Sequence, residues 1–295
     1  MLNNLREIMA HKGHITSVVF TPNSQLLLSA GMDNQVHIWT VGDWRLTKSL
    51  VGHENSVNSL SLTSDGQQVL TASTDRTVRF WDIRTGKQVQ QYGFKGHTAL
   101  LSLDNKVIAA LDNPWLTLAE FPSGEVINRV KPFPKRTTAY AFSPIDSKIA
   151  LGGQGDDISI RSFPELDLID NIEEAHSGYV LSTRFSPSGQ LLVSAGYEQK
   201  LKFWDTATWS LLAELPLEHQ GVQNLAFSED GKILAIASDH LVTLVEVNTR
   251  KIVHKEKIMP KGVYCIAFSP DGRWLVAGAA DKRLRIWDIL ADKSN

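Results

Sequence analysis

A histidine, a hydroxyl residue and a carboxylate recur together in this chain, and such a set invites reading as a nucleophilic hydrolase. The first instance is His11, Ser29 and Asp33, the second His53, Thr71 and Asp75, and the third His176, Ser194 and Glu198. In each, a tryptophan stands six residues beyond the carboxylate: Trp39, Trp81 and Trp204. Three features argue against catalysis. The set appears three times, a tryptophan donor is always included, and threonine or glutamate substitutes freely for serine or aspartate. No Gly-x-Ser-x-Gly elbow exists either. The sets therefore do not read as active sites. No catalytic residue is assigned.

Other candidate chemistry is weaker. His11 and His14 are three apart, but no Cys or carboxylate cluster completes a metal-ligand set around them. The glycine-rich run 152–157 lacks the Lys-Ser or Lys-Thr and the following helix of a phosphate cradle. Basic residues at Lys131, Lys135 and Arg136, and at Lys251, Lys255, Lys257 and Lys261, read as solvated outer edges. Neither a metal nor a cofactor is expected.

The elements that must position these residues repeat. Trp-Asp occurs at 81–82, 204–205 and 287–288, each six residues after an acidic residue, and a fourth copy runs from Asp33 to Trp39. The anchors Phe20, Leu62, Leu103, Phe142, Phe185, Phe227 and Phe268 are spaced 39 to 43 residues apart. After five of them comes a Pro, Asp or Gly turn such as Ser-Pro-Asp-Gly after Phe268, where Pro presets φ and Gly accepts φ > 0. In the second unit, alternation predicts strands at 57–62, 68–72 and 77–81, with a fourth at 87–92. A period near forty means that no unit buries its apolar face alone. Residues 1–295 are thus expected to form one domain.

Composition narrows the setting. Thirty basic residues against 32 acidic give a net charge of −2, which is no footprint for nucleic acid or an anionic membrane. The single cysteine, Cys265, excludes an internal disulfide framework. No apolar run approaches the roughly 18 residues of a membrane span, and no secretory signal is visible. A cytoplasmic protein is expected.

Four short strands per unit with Gly-His and Trp-Asp marks resemble the WD-repeat β-propeller family, over residues 4 to about 290. The resemblance implies an all-β, seven-bladed propeller of four-stranded antiparallel blades. Its ring would be closed by the N-terminal segment, which supplies the outer strand of the last blade. The resemblance also implies that His11, Ser29, Asp33 and Trp39, with their counterparts in the second and fifth blades, form buried hydrogen-bond sets, each contributing on the order of 1–3 kcal/mol, and four blades depart from this pattern. The sixth keeps His219 and Asp239 but has Ala235 and Val245 in the hydroxyl and Trp places, and the seventh has Ala277 and no His. The third and fourth have Asn113 and Gly155 at the acidic place and Ala119 and Arg161 at the Trp place, so apolar packing alone is expected there.

Such propellers mostly bind proteins or peptides on the face where the loops leading into the inner strands meet the second hairpins. Carried over by position, that top face presents Arg136, Tyr179, Tyr197, Tyr264, His14 and Met32. Tyr179, Tyr197 and Arg136 are the foremost candidates, because Tyr and Arg are enriched among residues whose truncation weakens interfaces most. The expected function is a non-enzymatic interaction scaffold, monomeric by itself and working within a hetero-complex with protein or peptide partners. The alternative is a sensor or regulatory subunit of a prokaryotic signalling or defence complex that acts through a separate effector.

Overall fold

The computed structural model describes residues 2–218, 221–258 and 262–289. His219, Lys261 and the segment 290–295 lie outside them. The described strands form seven four-stranded antiparallel sheets, arranged as the blades of a propeller. The first blade runs from the inner strand Ile15–Phe20 through Leu26–Gly31 and Gln35–Thr40 to the outer strand Leu46–Val51. In the second, the expected four strands occupy Val57–Leu62, Gln68–Ser73, Val78–Asp82 and Gln88–Gln91, within two residues of the sequence reading at each end.

Burial follows distance from the axis. The second strand of a blade is covered on both faces, so Leu26–Gly31, Leu191–Gly196 and Trp274–Ala279 are buried after their first residue. Outer strands such as Leu46–Val51 face solvent along most of their length. The apolar core divides into seven clusters, each drawing on two successive blades. Leu28, Ile38, Val57 and Val69 join the first to the second, for example, and Leu118, Leu116, Ile149 and Leu151 join the third to the fourth. The inner strands also carry polar groups across the seams. Ser59 and Ser61 accept the amides of Ala99 and Leu101 in the next blade, at 2.8 and 2.9 Å, so this strand edge is not left unpaired.

The hairpin after six of the seven inner strands is held by a hydroxyl that directly follows the anchor. Thr21, Thr63, Ser102, Ser186, Ser228 and Ser269 each accept the amide five residues on. Ser102 fixes the third anchor as Leu101. Leu103, the residue suggested by spacing, instead sits in the turn and is 64% exposed. The third inner strand, Thr98–Leu101, also lacks the register irregularity that its counterparts carry at their outset. A unit shortened at that end explains the displaced anchor.

Closure takes place in the seventh sheet. Asn3–Met9 pairs with Arg283–Asp288, from Met9 opposite Arg283 to Asn3 opposite Asp288. Glu7 receives Arg283 at 3.3 Å and Arg285 at 3.0 Å. Ending the chain at Gly262 would remove the other three strands of this blade and bare the apolar seams on both sides. We expect that variant to bind a hydrophobic dye and to elute as aggregate. A monomer with a cooperative melt would show that an open ring of six blades suffices.

Candidate functional site

The three His-containing sets share one geometry. The histidine precedes the inner strand, the hydroxyl sits within the second strand, the carboxylate follows in the turn, and the tryptophan lies on the third strand. In the first blade, His11 Nε2 is 2.8 Å from Ser29 Oγ, Trp39 Nε1 is 2.9 Å from the same oxygen, and His11 Nδ1 is 2.9 Å from Asp33. The second blade repeats this at 2.7, 2.9 and 2.8 Å, and the fifth at 2.6, 2.8 and 2.6 Å.

An indole N–H can only donate, so the hydroxyl oxygen accepts from it. The hydroxyl then donates to Nε2, and Nδ1–H donates to the carboxylate. Each proton has one place. A nucleophilic serine needs its oxygen free to meet a substrate, whereas Ser29, Thr71 and Ser194 are fully buried and bonded on both sides. None of the three oxygens is free to act as a nucleophile. His11, Asp33 and His37 also place one ligand atom each within 4.8 Å of one another. The His11 Nδ1 proton is committed to Asp33, however, and two donors on one tetrahedral zinc lie only about 3.3 Å apart.

Burial sets the titration of these groups. It pushes the Asp33 carboxyl up, but hydrogen bonds from His11 and from the Lys12 amide outweigh it and hold the group at about 2. Burial lowers His37 to about 4, against the opposing pull of Asp33, and the His11 ring stacks on it at 4.3 Å. Burial likewise lowers His53 and His176, against the opposing pull of Asp75 and Glu198.

The departures find other partners. Glu198 meets His176 through Oε1, while its longer side chain leaves Oε2 buried without a partner against Gly196. In the first two blades, by contrast, the carboxylate also accepts the amide after the histidine, Lys12 at 2.7 Å and Glu54 at 3.0 Å. The seventh blade replaces histidine with Arg285, which is 3% exposed and bonds Asp281 at 3.1 and 2.5 Å. The third blade does not rely on apolar packing alone. His97, missed in the sequence reading, lies 3.4 Å from Asn113, and Asn113 accepts the Thr137 amide of the fourth blade at 2.9 Å. Its signal was the dipeptide Gly96-His97, matching Gly52-His53. In the fourth blade, Arg161 donates to the Leu166 carbonyl at 2.8 Å.

The six residues expected on the top face fall into three groups. Tyr179 and Tyr197 are 42% and 53% exposed, with ring centroids 6.2 Å apart. His14 stacks on Tyr264 across the ring closure at 5.8 Å, and the amide of exposed Met32 bonds the His14 carbonyl. Arg136 instead lines a cleft of about 670 Å³ with His97, Asp112 and Asn58. Among the described residues, no ring contact, hydrogen bond or ion pair links it to either tyrosine.

A family model described as "WD domain, G-beta repeat" matches residues 2–40, 44–82, 169–205 and 253–288, just over half of the chain. The chain belongs to the WD40 repeat family. A second model, the WD40 domain of anaphase-promoting complex subunit 4, matches residues 208–269 of this WD40 propeller. WD repeat-containing protein 36 from Homo sapiens is 32% identical over 117 residues, which is 40% of this chain and 13% of that protein. WD repeat and HMG-box DNA-binding protein 1 from Xenopus laevis is 25% identical over 94% of this chain and 22% of its own length. Small ribosomal subunit protein RACK1 from Drosophila melanogaster is 27% identical over 50% of this chain and 49% of its own. The WD40 propeller thus spans under half the length of each. Neither matching model is that of a catalytic domain. Among the described residues, no helix is long and apolar enough to cross a membrane.

Two predictions follow from the sets. Shortening Glu198→Asp lets the carboxylate reach the Ser177 amide as its counterparts do, and should stabilise the WD40 propeller by about 1 kcal/mol in chemical denaturation. Equal or lower stability would mean that Oε2 is already satisfied. The second concerns pH. His37 is held neutral in the folded state, so its stabilisation is complete above pH 6.5 and is lost as pH falls toward 4. The shift corresponds to about 3 kcal/mol. The Asp33 contribution is lost lower, between about 3.8 and 2. Melting temperature should therefore drop from pH 7 to pH 4, and His37→Gln should flatten that drop. An unchanged profile in the variant would sink the assignment to His37.

Proposed function

We infer that this WD40 propeller is a non-enzymatic scaffold that holds a partner protein or peptide on its top face. The observation that carries this is the exposed Tyr179–Tyr197 pair. The amide of Tyr197 bonds the Tyr179 carbonyl at 2.9 Å, so both side chains are presented from hydrogen-bonded backbone. Two large amphipathic rings held in this way bind with little loss of conformational entropy. The His14–Tyr264 stack and Met32 extend the aromatic and apolar character around the same face. Arg136 adds a bidentate donor.

Membership of a large assembly is written into one relative's name, the small ribosomal subunit protein. The near-balanced charge of this chain favours a protein partner over nucleic acid or membrane. A cytoplasmic, monomeric propeller acting inside a hetero-complex fits the single buried cysteine and the closed ring.

The test is affinity capture from native lysate, with wild type compared against a folded Arg136→Ala/Tyr179→Ala/Tyr197→Ala variant and quantified by mass spectrometry. A small set of proteins should bind wild type and fall about tenfold or more with the variant. Equal recovery by both baits would move recognition to the outer edges or the bottom face. A captured partner whose own activity changes on binding would favour the sensor role over the tether.

A further inference from the structure

The cleft between the second, third and fourth blades is built before any partner arrives. Asn58 Nδ2 donates to Thr74 Oγ1 at 3.0 Å and to the His97 carbonyl at 2.9 Å, tying the second blade to the third. The Asn113 bond to the Thr137 amide ties the third to the fourth. Pro114 and Pro134 contribute apolar lining. Walls fixed in this way leave less to be ordered on binding.

Its charge is one-sided. Asp112 is the one carboxylate among the described lining residues, and Arg76 already engages both its oxygens, at 3.1 and 2.5 Å. Lys135 and Arg136 are exposed and make no ion pair among the described residues. Two cations thus line the cleft beside one carboxylate that Arg76 already engages, in a chain whose overall charge is −2. His97 adds no further cation. Burial lowers it, Asp112 opposes that shift, and Arg136 and Arg76 reinforce it. The Asn113 amide donates to Nε2, which leaves Nδ1 as the protonated nitrogen and a donor.

We propose that this cleft seats an acidic segment of the partner protein, an Asp or Glu side chain meeting Arg136 and Lys135 while a neighbouring apolar side chain packs on the two proline rings. The inference rests on the scaffold reading and names the chemistry of what is held. A carboxylate gains charge-assisted hydrogen bonds from Arg136 that neutral groups do not. A nucleic-acid strand fits less well, because two free cations neutralise few phosphates and the chain as a whole carries a net charge of −2.

The probe is a phage-displayed library of random twelve-residue peptides panned on the full chain at low salt. The strongest binder is then synthesised with a fluorophore for anisotropy. Binders should be enriched in Asp and Glu beside apolar residues. Affinity should fall about tenfold or more in Lys135→Glu/Arg136→Glu, weaken with added salt, and hold in Lys87→Glu at the opposite end of the propeller. Circular dichroism melts check that both variants fold. Binders without acidic bias, lost only with Tyr179→Ala/Tyr197→Ala, would overturn the cleft and leave the scaffold standing. A library that yields no binder at all would overturn both. A labelled single-stranded oligonucleotide that binds wild type but not the charge-reversed variant, where peptides do not, would assign the cleft to nucleic acid instead.

Discussion

A sheet that is apolar on both faces cannot be stable in water alone, and every blade of this protein is such a sheet. Each of the seven apolar clusters belongs to two blades at once, so the stability of any blade is conditional on its neighbours. The chain meets this condition by bringing Asn3–Met9 back beside Arg283–Asp288. Without that pairing, the first and last blades would each present an uncovered seam, and the fold would have ends where its sequence pattern allows none.

Within this frame the polar sets act as pins. They fix how the turn, the second strand and the third strand of a blade meet, because one oxygen must sit between an indole and an imidazole. The chemistry of the pin can change as long as its valences are filled. His53 with Asp75 serves in the second blade, and Arg285 with Asp281 and Glu7 in the seventh. Where the fit is poorest, at Glu198, one buried oxygen is left without a partner.

Much of the fold was legible because Trp-Asp and the turn residues are local signals with fixed offsets. Leu103 shows where such reading slips. An apolar residue in a turn mimics a strand anchor, and only the hydroxyl that clamps the hairpin, Ser102, separates it from Leu101. His97 was hidden by a shortened unit. It stands thirteen residues before Ala110 (110 − 97), which takes the place of Thr71 in the strand register, whereas His53 stands 18 before Thr71. The Glu7 contact of Arg285 needs the register across a strand pair joining the two ends of the chain, which no local pattern encodes. The candidate face was legible as positions but not as groupings. That Arg136 belongs with His97 and Asp112, apart from the tyrosines, depends on how successive blades are turned against each other.

The closing strand pair also sets how the molecule responds to tension. Because Asn3 lies opposite Asp288 and Met9 opposite Arg283, a load pulling residues 2 and 289 apart acts at one end of the ladder. It opens that pairing bond by bond, as a zipper opens, instead of shearing all of its hydrogen bonds together. The ring is therefore a thermodynamically closed object with a mechanically weak latch. Once the latch parts, the blades can peel in sequence from either side, each release uncovering the seam that held the next.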